Sequence, residues 1–298
     1  MAAKMSMITN RRRRARGTPP LALALALAGG ICAVPLAAQA PPAPQDEVAP
    51  PVATYADLVD LAQKSAIVAT VEITDQRLVE PERAPGLAPG HARLYLEAGI
   101  QGLLIGPSAL GVNQVFLADV PVDARGRPPR MRKEHFLVFA NPVAGRPGSL
   151  QLVEPDAMFA ADPRLEQRTR GVIAEVASRE APPRITGVRE AFSMAGNLAG
   201  ESETQLFLDT ASGAPVSLSV IRRPGMEPQW GVSWSEIVDQ SAAAPQRDTL
   251  EWYRLACSLP GQLPAEANNQ DDRAGRIQAE ADYQHILAQL GPCERVRG

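Results

Sequence analysis

The sequence is poor in the residues on which metal binding and nucleophilic catalysis most often depend. Its 298 residues include three cysteines and three histidines, and aromatic residues make up only 4% of them. His91, His135 and His285 are far apart, and none belongs to a metal-ligand spacing such as H-E-x-x-H. The sequence also has no G-x-S-x-G elbow, no Walker loop and no G-x-G-x-x-G fingerprint. It therefore predicts no metal site and no cofactor.

Positive charge is scarce outside the first 40 residues. Those residues hold six of the 30 lysines and arginines and none of the 33 acids, so the rest of the chain carries a net charge of −9. Nucleic-acid binding needs basic patches that displace counterions, and anionic membrane surfaces attract polybasic segments. The acidic remainder therefore predicts no nucleic-acid partner, and contact with a membrane only through the N-terminal segment.

The N-terminal segment has the three parts of a secretory signal. Five arginines lie between positions 11 and 16, an uncharged run covers 21–37, and an Ala-Gln-Ala sequence ends at Ala40. We therefore expect residues 1–40 to be a signal peptide and the protein to be periplasmic or secreted. The apolar run is near the short limit of a membrane span, and Pro41 disfavours cleavage at this site. An inner-membrane anchor formed by the uncleaved segment is the alternative.

The rest of the chain divides into three regions. Residues 41–53 are rich in proline and alanine and predict an extended spacer. Residues 54–180 contain short apolar runs and glycine or proline turns between two amphipathic helices, which predicts a β-barrel-like domain with flanking helices. Residues 185–298 contain four strand patterns followed by helices at about 247–258 and 272–290. The fold class is therefore α+β: a β-barrel-like domain, then a small antiparallel sheet with two C-terminal helices.

Two helix starts are marked by capping residues. Thr54 followed by Asp57 is an acidic variant of the capping box. Asp162 followed by Pro163 combines a preferred N-cap residue with proline at the first helical position.

Cys257 and Cys293 remain after the leader, and an even pair in an oxidising compartment predicts a disulfide. Both cysteines lie near the C-terminal ends of the last two predicted helices. Because paired cysteines need α-carbons within about 7 Å, those two helix ends would have to meet. Two separate buried thiols are the alternative.

Two groups of charged residues are candidate sites. Glu201 and Glu203 lie two apart before a strand, where extended backbone would place both carboxylates on one face, as an acid pair for proton transfer requires. A solvated loop is the alternative. Arg130, Arg132 and Lys133, in the cationic stretch 121–133, could bind an anionic partner. A flexible solvated loop is the alternative there as well.

The apolar runs within residues 66–73, 93–98, 114–120 and 134–140 resemble the strands of OB-type barrels in exported proteins, including netrin-like domains related to metalloproteinase inhibitors. The resemblance implies a five-stranded barrel. Those inhibitors bind zinc through an N-terminal cysteine, and because no cysteine follows the predicted leader directly, inhibition is not implied. The stretch 190–298 resembles uncharacterised bacterial exported proteins, which implies no activity.

These observations lead to one hypothesis and one rival. The hypothesis is a non-catalytic exported protein that binds or interacts with an unknown component of the cell envelope. The rival is an envelope-acting hydrolase that uses Glu201 and Glu203 as its carboxylate pair.

Overall fold

The structure, a computed structural model, describes residues 53–107, 110–235 and 243–297. The predicted signal peptide and all but the last residue of the predicted spacer lie outside these ranges. The described residues belong to one compact unit. They form a six-stranded sheet, a four-stranded antiparallel sheet and α-helices, so the α+β prediction is confirmed.

The first sheet contains six strands in the order β3-β2-β1-β4-β5, with β6 also paired to β4, and these strand pairs are antiparallel. Its strands are β1 Ile67–Leu78, β2 His91–Ile105, β3 Asn113–Pro121, β4 His135–Pro142, β5 Leu150–Leu152 and β6 Met158–Ala160. Alternate residues of the long strands are apolar and buried, as period-two patterning requires. Fully buried members are Ile67, Ile73, Leu94, Leu96, Leu137 and Phe139.

The two edges of this sheet meet. The Val115 N–H of β3 donates a hydrogen bond of 2.8 Å to the carbonyl of Gly148, and Val115 forms a parallel bridge with Ser149 beside β5. A second bond of 2.8 Å runs from the Asp119 N–H to the carbonyl of Pro155. The sheet is therefore closed and barrel-like, and these contacts pair part of each edge.

Two helices flank this sheet in the sequence, α1 Tyr55–Lys64 and α2 Pro163–Ala177. Both predicted caps are confirmed: Thr54 and Asp57 form a capping box, and the Asp162 carboxylate accepts the Leu165 N–H at 3.1 Å. The two helices pack against each other.

The second sheet has the order β10-β9-β8-β7 and is antiparallel throughout. Its strands are β7 Ile185–Ala195, β8 Ser202–Thr210, β9 Val216–Arg222 and β10 Gln229–Ser233. Two helices follow, α3 Leu250–Ala256 and α4 Arg273–Leu290. Helix α4 packs on β7 and β8, and its Tyr283 is fully buried.

The predicted disulfide is confirmed. Cys257 and Cys293 are bonded, with α-carbons 5.1 Å apart. Cys257 caps the C-terminus of α3, and Cys293 follows the end of α4, so the two helix ends meet. The indole N–H of Trp252 also donates a bond of 2.8 Å to the carbonyl of Leu290, which joins the same two ends.

Three local features differ from the sequence predictions. Strand β6 and a 3-10 helix at Pro81–Arg83 were not predicted, because three residues are too few to show a periodic pattern. Helix α3 is shorter than its predicted range, because Thr249 is its N-cap and accepts the Trp252 N–H at 3.3 Å.

Candidate functional site

The structure places Glu201 in the turn before β8 and Glu203 on β8 itself. The Glu201 carboxylate accepts the N–H groups of Asn197 at 3.0 Å and Leu198 at 3.1 Å, and so stabilises the turn before β8. Its side chain folds over Gly196, where a Cβ would lie 2.4 Å from the Glu201 Cγ. Glu203 is exposed on β8 and accepts a bond of 2.8 Å from the Gln205 side-chain amide. Each carboxylate therefore bonds to groups of its own strand or turn.

Arg130, Arg132 and Lys133 lie in the loop between β3 and β4, and all three are exposed. The Arg132 guanidinium is 3.7 Å from the Asp75 carboxylate, an exposed pair of small energetic value. Lys133 has a φ of 67° and donates its N–H to the Ile73 carbonyl at 2.8 Å. The backbone of this loop is therefore fixed to β1 although its cationic side chains face solvent.

A cleft of about 580 Å³ lies where the end of β3, this same loop, β6 and the segment 293–297 come together. Met131, Met158 and Phe159 supply much of its apolar lining, and Asp119 and Asp156 supply carboxylates. Concave sites with apolar walls and a few polar groups are typical of ligand-binding sites.

The two carboxylates of the cleft differ in burial and in the arginine with which each is paired. Asp119 accepts two bonds from Arg93, of 2.7 and 2.8 Å, in a bidentate pair that is mostly buried. Hydrogen bonding to Asp119 raises the pKa of Arg93, as expected for a guanidinium that donates to a carboxylate. Asp156, in contrast, is exposed and pairs with an arginine from the far end of the sequence.

That arginine is Arg297. Its Nη2 donates a bond of 2.5 Å to the Asp156 carboxylate and lies 3.6 Å from the Glu154 carboxylate. Its Cζ lies 4.7 Å from the centroid of the Phe159 ring, within the range of a cation–π contact. Only 13% of the Arg297 side chain is exposed. The guanidinium is therefore held by two acids and one aromatic face.

The segment 293–297 reaches the cleft along the start of α1. Its first residue is tied to α3 by the disulfide. Arg295 donates a bond of 2.7 Å to the Asp60 carboxylate, and this bond raises the pKa of Arg295. The Val296 N–H donates to Asp57 at 3.2 Å, so the carboxylate that caps α1 also holds this segment.

A second polar cluster lies under the second sheet. Asp282 of α4 is fully buried and accepts bonds from Arg222 at 2.5 Å, from the Gln278 amide at 3.1 Å and from the Thr204 hydroxyl. Because its partners come from β8, β9 and its own helix, the cluster fixes α4 on the sheet.

No pattern in the sequence predicted the cleft. Its lining residues are scattered between positions 119 and 297, and none belongs to a motif. The predicted cationic loop does border it, since Arg130 and Arg132 are the neighbours of Met131 in the chain. The acidic pair at 201 and 203 has no residue in its lining.

Comparison with known proteins adds no assignment, since no family model and no curated protein matches the chain. Within the described ranges, no helix is long and apolar enough to cross a membrane. In the same part of the chain, no group of three or more His, Cys, Asp or Glu residues is placed to hold a metal ion.

Proposed function

We propose that this chain is a non-catalytic exported protein that binds a component of the cell envelope, and that the cleft at β6 is its binding site. The observation that carries this proposal is the cleft itself, a space of about 580 Å³ with methionine and phenylalanine walls and charged groups at defined places. Flexible methionine side chains adapt to irregular ligand shapes.

The charges around the cleft suggest how a ligand would be oriented. Asp156 and Glu154 lie together on one side, where Arg297 now binds. Arg130 and Arg132 extend into solvent from the loop whose Met131 lines the cleft. A ligand bound against Met131 and Met158 would therefore lie near the Asp156 carboxylate and near the loop that carries the two exposed arginines.

Export is part of the proposal. The predicted leader supports it, and the disulfide between Cys257 and Cys293 is compatible with an oxidising compartment. Mass spectrometry of the protein purified from cell envelopes, without reductant, would test this. We expect a chain that lacks residues 1–40 or keeps them as an anchor, with no free thiol at either cysteine. Recovery of the intact reduced chain from the cytosol would contradict export.

The binding site is tested by filling the cleft. Met158→Arg places a long cation among the lining residues, and Met226→Arg is a matched control because Met226 is exposed in the turn between β9 and β10. We expect Met158→Arg to reduce cosedimentation with purified outer membranes or peptidoglycan at least about tenfold, and Met226→Arg to leave it unchanged. Equal binding by both variants would contradict the site.

A separate experiment tests whether the protein hydrolyses envelope material. The wild-type protein is incubated with the same envelope preparations, and soluble sugars and peptides are measured. We expect no release above buffer. Release that is lost in Glu203→Gln and retained in Met158→Arg would instead establish the hydrolase.

A further inference from the structure

The segment 293–297 contacts the cleft as a bound peptide would. It enters with an apolar residue, Val296, and ends the described chain with Arg297, and both residues line the cleft. Arg297 makes the three kinds of contact by which proteins recognise a guanidinium: a short bond to Asp156, a second carboxylate at Glu154 and the face of Phe159. Lysine has no planar guanidinium to stack on the Phe159 ring and would lose part of this recognition.

The fit of Arg297 is incomplete. Its Nε is buried and has no acceptor within the part of the chain that the structure describes. A buried donor without an acceptor weakens binding, because it has lost its water without compensation. Arg297 nevertheless remains in place because the disulfide at Cys293 and the bond from Arg295 to Asp60 keep its effective concentration at the cleft high.

From these contacts we infer that the cleft has a guanidinium subsite, formed by Asp156, Glu154 and Phe159, and that Arg297 occupies it as an intramolecular competitor of an arginine-bearing peptide segment of another protein. This inference rests on the proposed function and names the ligand class of the same cleft. The partner segment would replace Arg297 at Asp156 and Phe159, while the 293–297 segment stays attached through its disulfide.

The test uses the full chain and a labelled peptide with the sequence of residues 294–298, together with the same peptide carrying lysine in place of both arginines. Binding is followed by fluorescence anisotropy. We expect Arg297→Ala to bind the arginine peptide at least about tenfold more tightly than the wild type, because the competitor is gone. We expect Arg223→Ala, which removes an exposed arginine from the turn after β9, to bind like the wild type.

Two further variants assign the subsite. Adding Asp156→Asn to Arg297→Ala should reduce binding of the arginine peptide about tenfold, because the charge-assisted bond is lost. Arg297→Lys keeps the charge and should bind the arginine peptide more tightly than the wild type but less tightly than Arg297→Ala. Arg297→Lys therefore tests whether Arg297 competes with the peptide even if Arg297→Ala does not fold.

Two results would overturn the inference. One is a folded Arg297→Ala or Arg297→Lys that binds the arginine peptide no better than the wild type. The other is that the folded variant binds the lysine peptide as tightly as it binds the arginine peptide. Either result leaves the proposed function standing if Met158→Arg still reduces envelope binding, whereas an unaffected Met158→Arg would contradict the proposed function whatever the peptide does.

Discussion

Tyr55 and Glu175 lie 120 residues apart in the chain and share a hydrogen bond of 2.6 Å from the phenol to the carboxylate. The same carboxylate oxygen accepts the Leu250 N–H at 2.9 Å. One side chain of α2 therefore holds the first turn of α1 and the first turn of α3. Helix α1 precedes the first sheet in the sequence, α2 lies between the two sheets, and α3 follows the second sheet. This contact therefore links segments that no local pattern connects.

The first prediction concerns this carboxylate. Glu175→Ala should lower the free energy of unfolding by about 2–3 kcal/mol, because it leaves the phenol of the buried Tyr55 and a backbone N–H without their acceptor. Chemical denaturation with the disulfide intact would measure the loss. Glu180→Ala is the control, because Glu180 is exposed after the end of α2, and it should stay within about 0.5 kcal/mol of the wild type. Equal losses in both variants would show that the Glu175 contacts are not important for stability.

The second prediction concerns the disulfide. It joins cysteines 36 residues apart. On the chain-entropy model, closing a loop of this size raises the free energy of unfolding by about 4 kcal/mol. Replacing Cys257 and Cys293 together by serine should therefore lower stability by about that amount, and the variant should unfold at the same denaturant concentration with and without reductant. The wild type should lose a similar amount only when reductant is present. A wild-type transition that does not respond to reductant would argue against the bridge.

The third prediction concerns alkaline pH. Burial and the hydrogen bond to Asp60 raise the pKa of Tyr253, and burial with the bond to Glu175 raises the pKa of Tyr55. Both phenols therefore stay neutral in the folded protein at pH values where the unfolded chain, with pKa values near 10, releases protons. Their contribution to stability is complete below pH 10 and decreases as the pH rises towards the folded values, by up to about 1.4 kcal/mol per pH unit for each tyrosine.

Denaturation at several pH values between 9 and 11 would check the alkaline prediction. Tyr253→Phe removes one of these phenols and should give a shallower decline above pH 10 than the wild type. A decline of the same slope in both proteins would mean that Tyr253 does not contribute to it.

The fourth prediction concerns the turn before β8. Gly196→Ala would place a Cβ 2.4 Å from the Glu201 Cγ, so the Glu201 side chain would have to move and lose its bonds to the turn. We expect a cost of about 1–2 kcal/mol, and little further cost when Gly196→Ala is added to Glu201→Ala. Denaturation of the two single variants and the double variant forms a mutant cycle. Strictly additive losses would mean that the two residues are not coupled.

Local sequence patterns predicted much of the secondary structure. The capping box at Thr54, the cap and proline at Asp162 and Pro163, and the alternation of apolar residues along the long strands each act within a few residues, so they can be recognised without the fold. The pairing of Cys257 with Cys293 followed from counting cysteines after the leader. The signal peptide, the boundary near residue 180, the OB-type resemblance and the binding function stay predictions.

The candidate site was not predictable in the same way. Glu201 and Glu203 attracted interest because they are close in sequence, but the backbone turns between Gly196 and Glu201 and uses one carboxylate for its own amides. One acid that does meet a cation in the cleft is Asp156, and its partner is Arg297, 141 residues away. No spacing rule connects two such residues.

By itself, the sequence determined which segments become helices and strands, where the helices begin, and that two cysteines were available to pair, because propensity, capping and periodicity are properties of neighbouring residues. Only the tertiary structure decided that the edges of the first sheet meet, that Glu175 joins three helices, and that Arg297 lies over Phe159. These contacts depend on how elements pack around a common core, and the packing of one element is set by all the others rather than by its own residues.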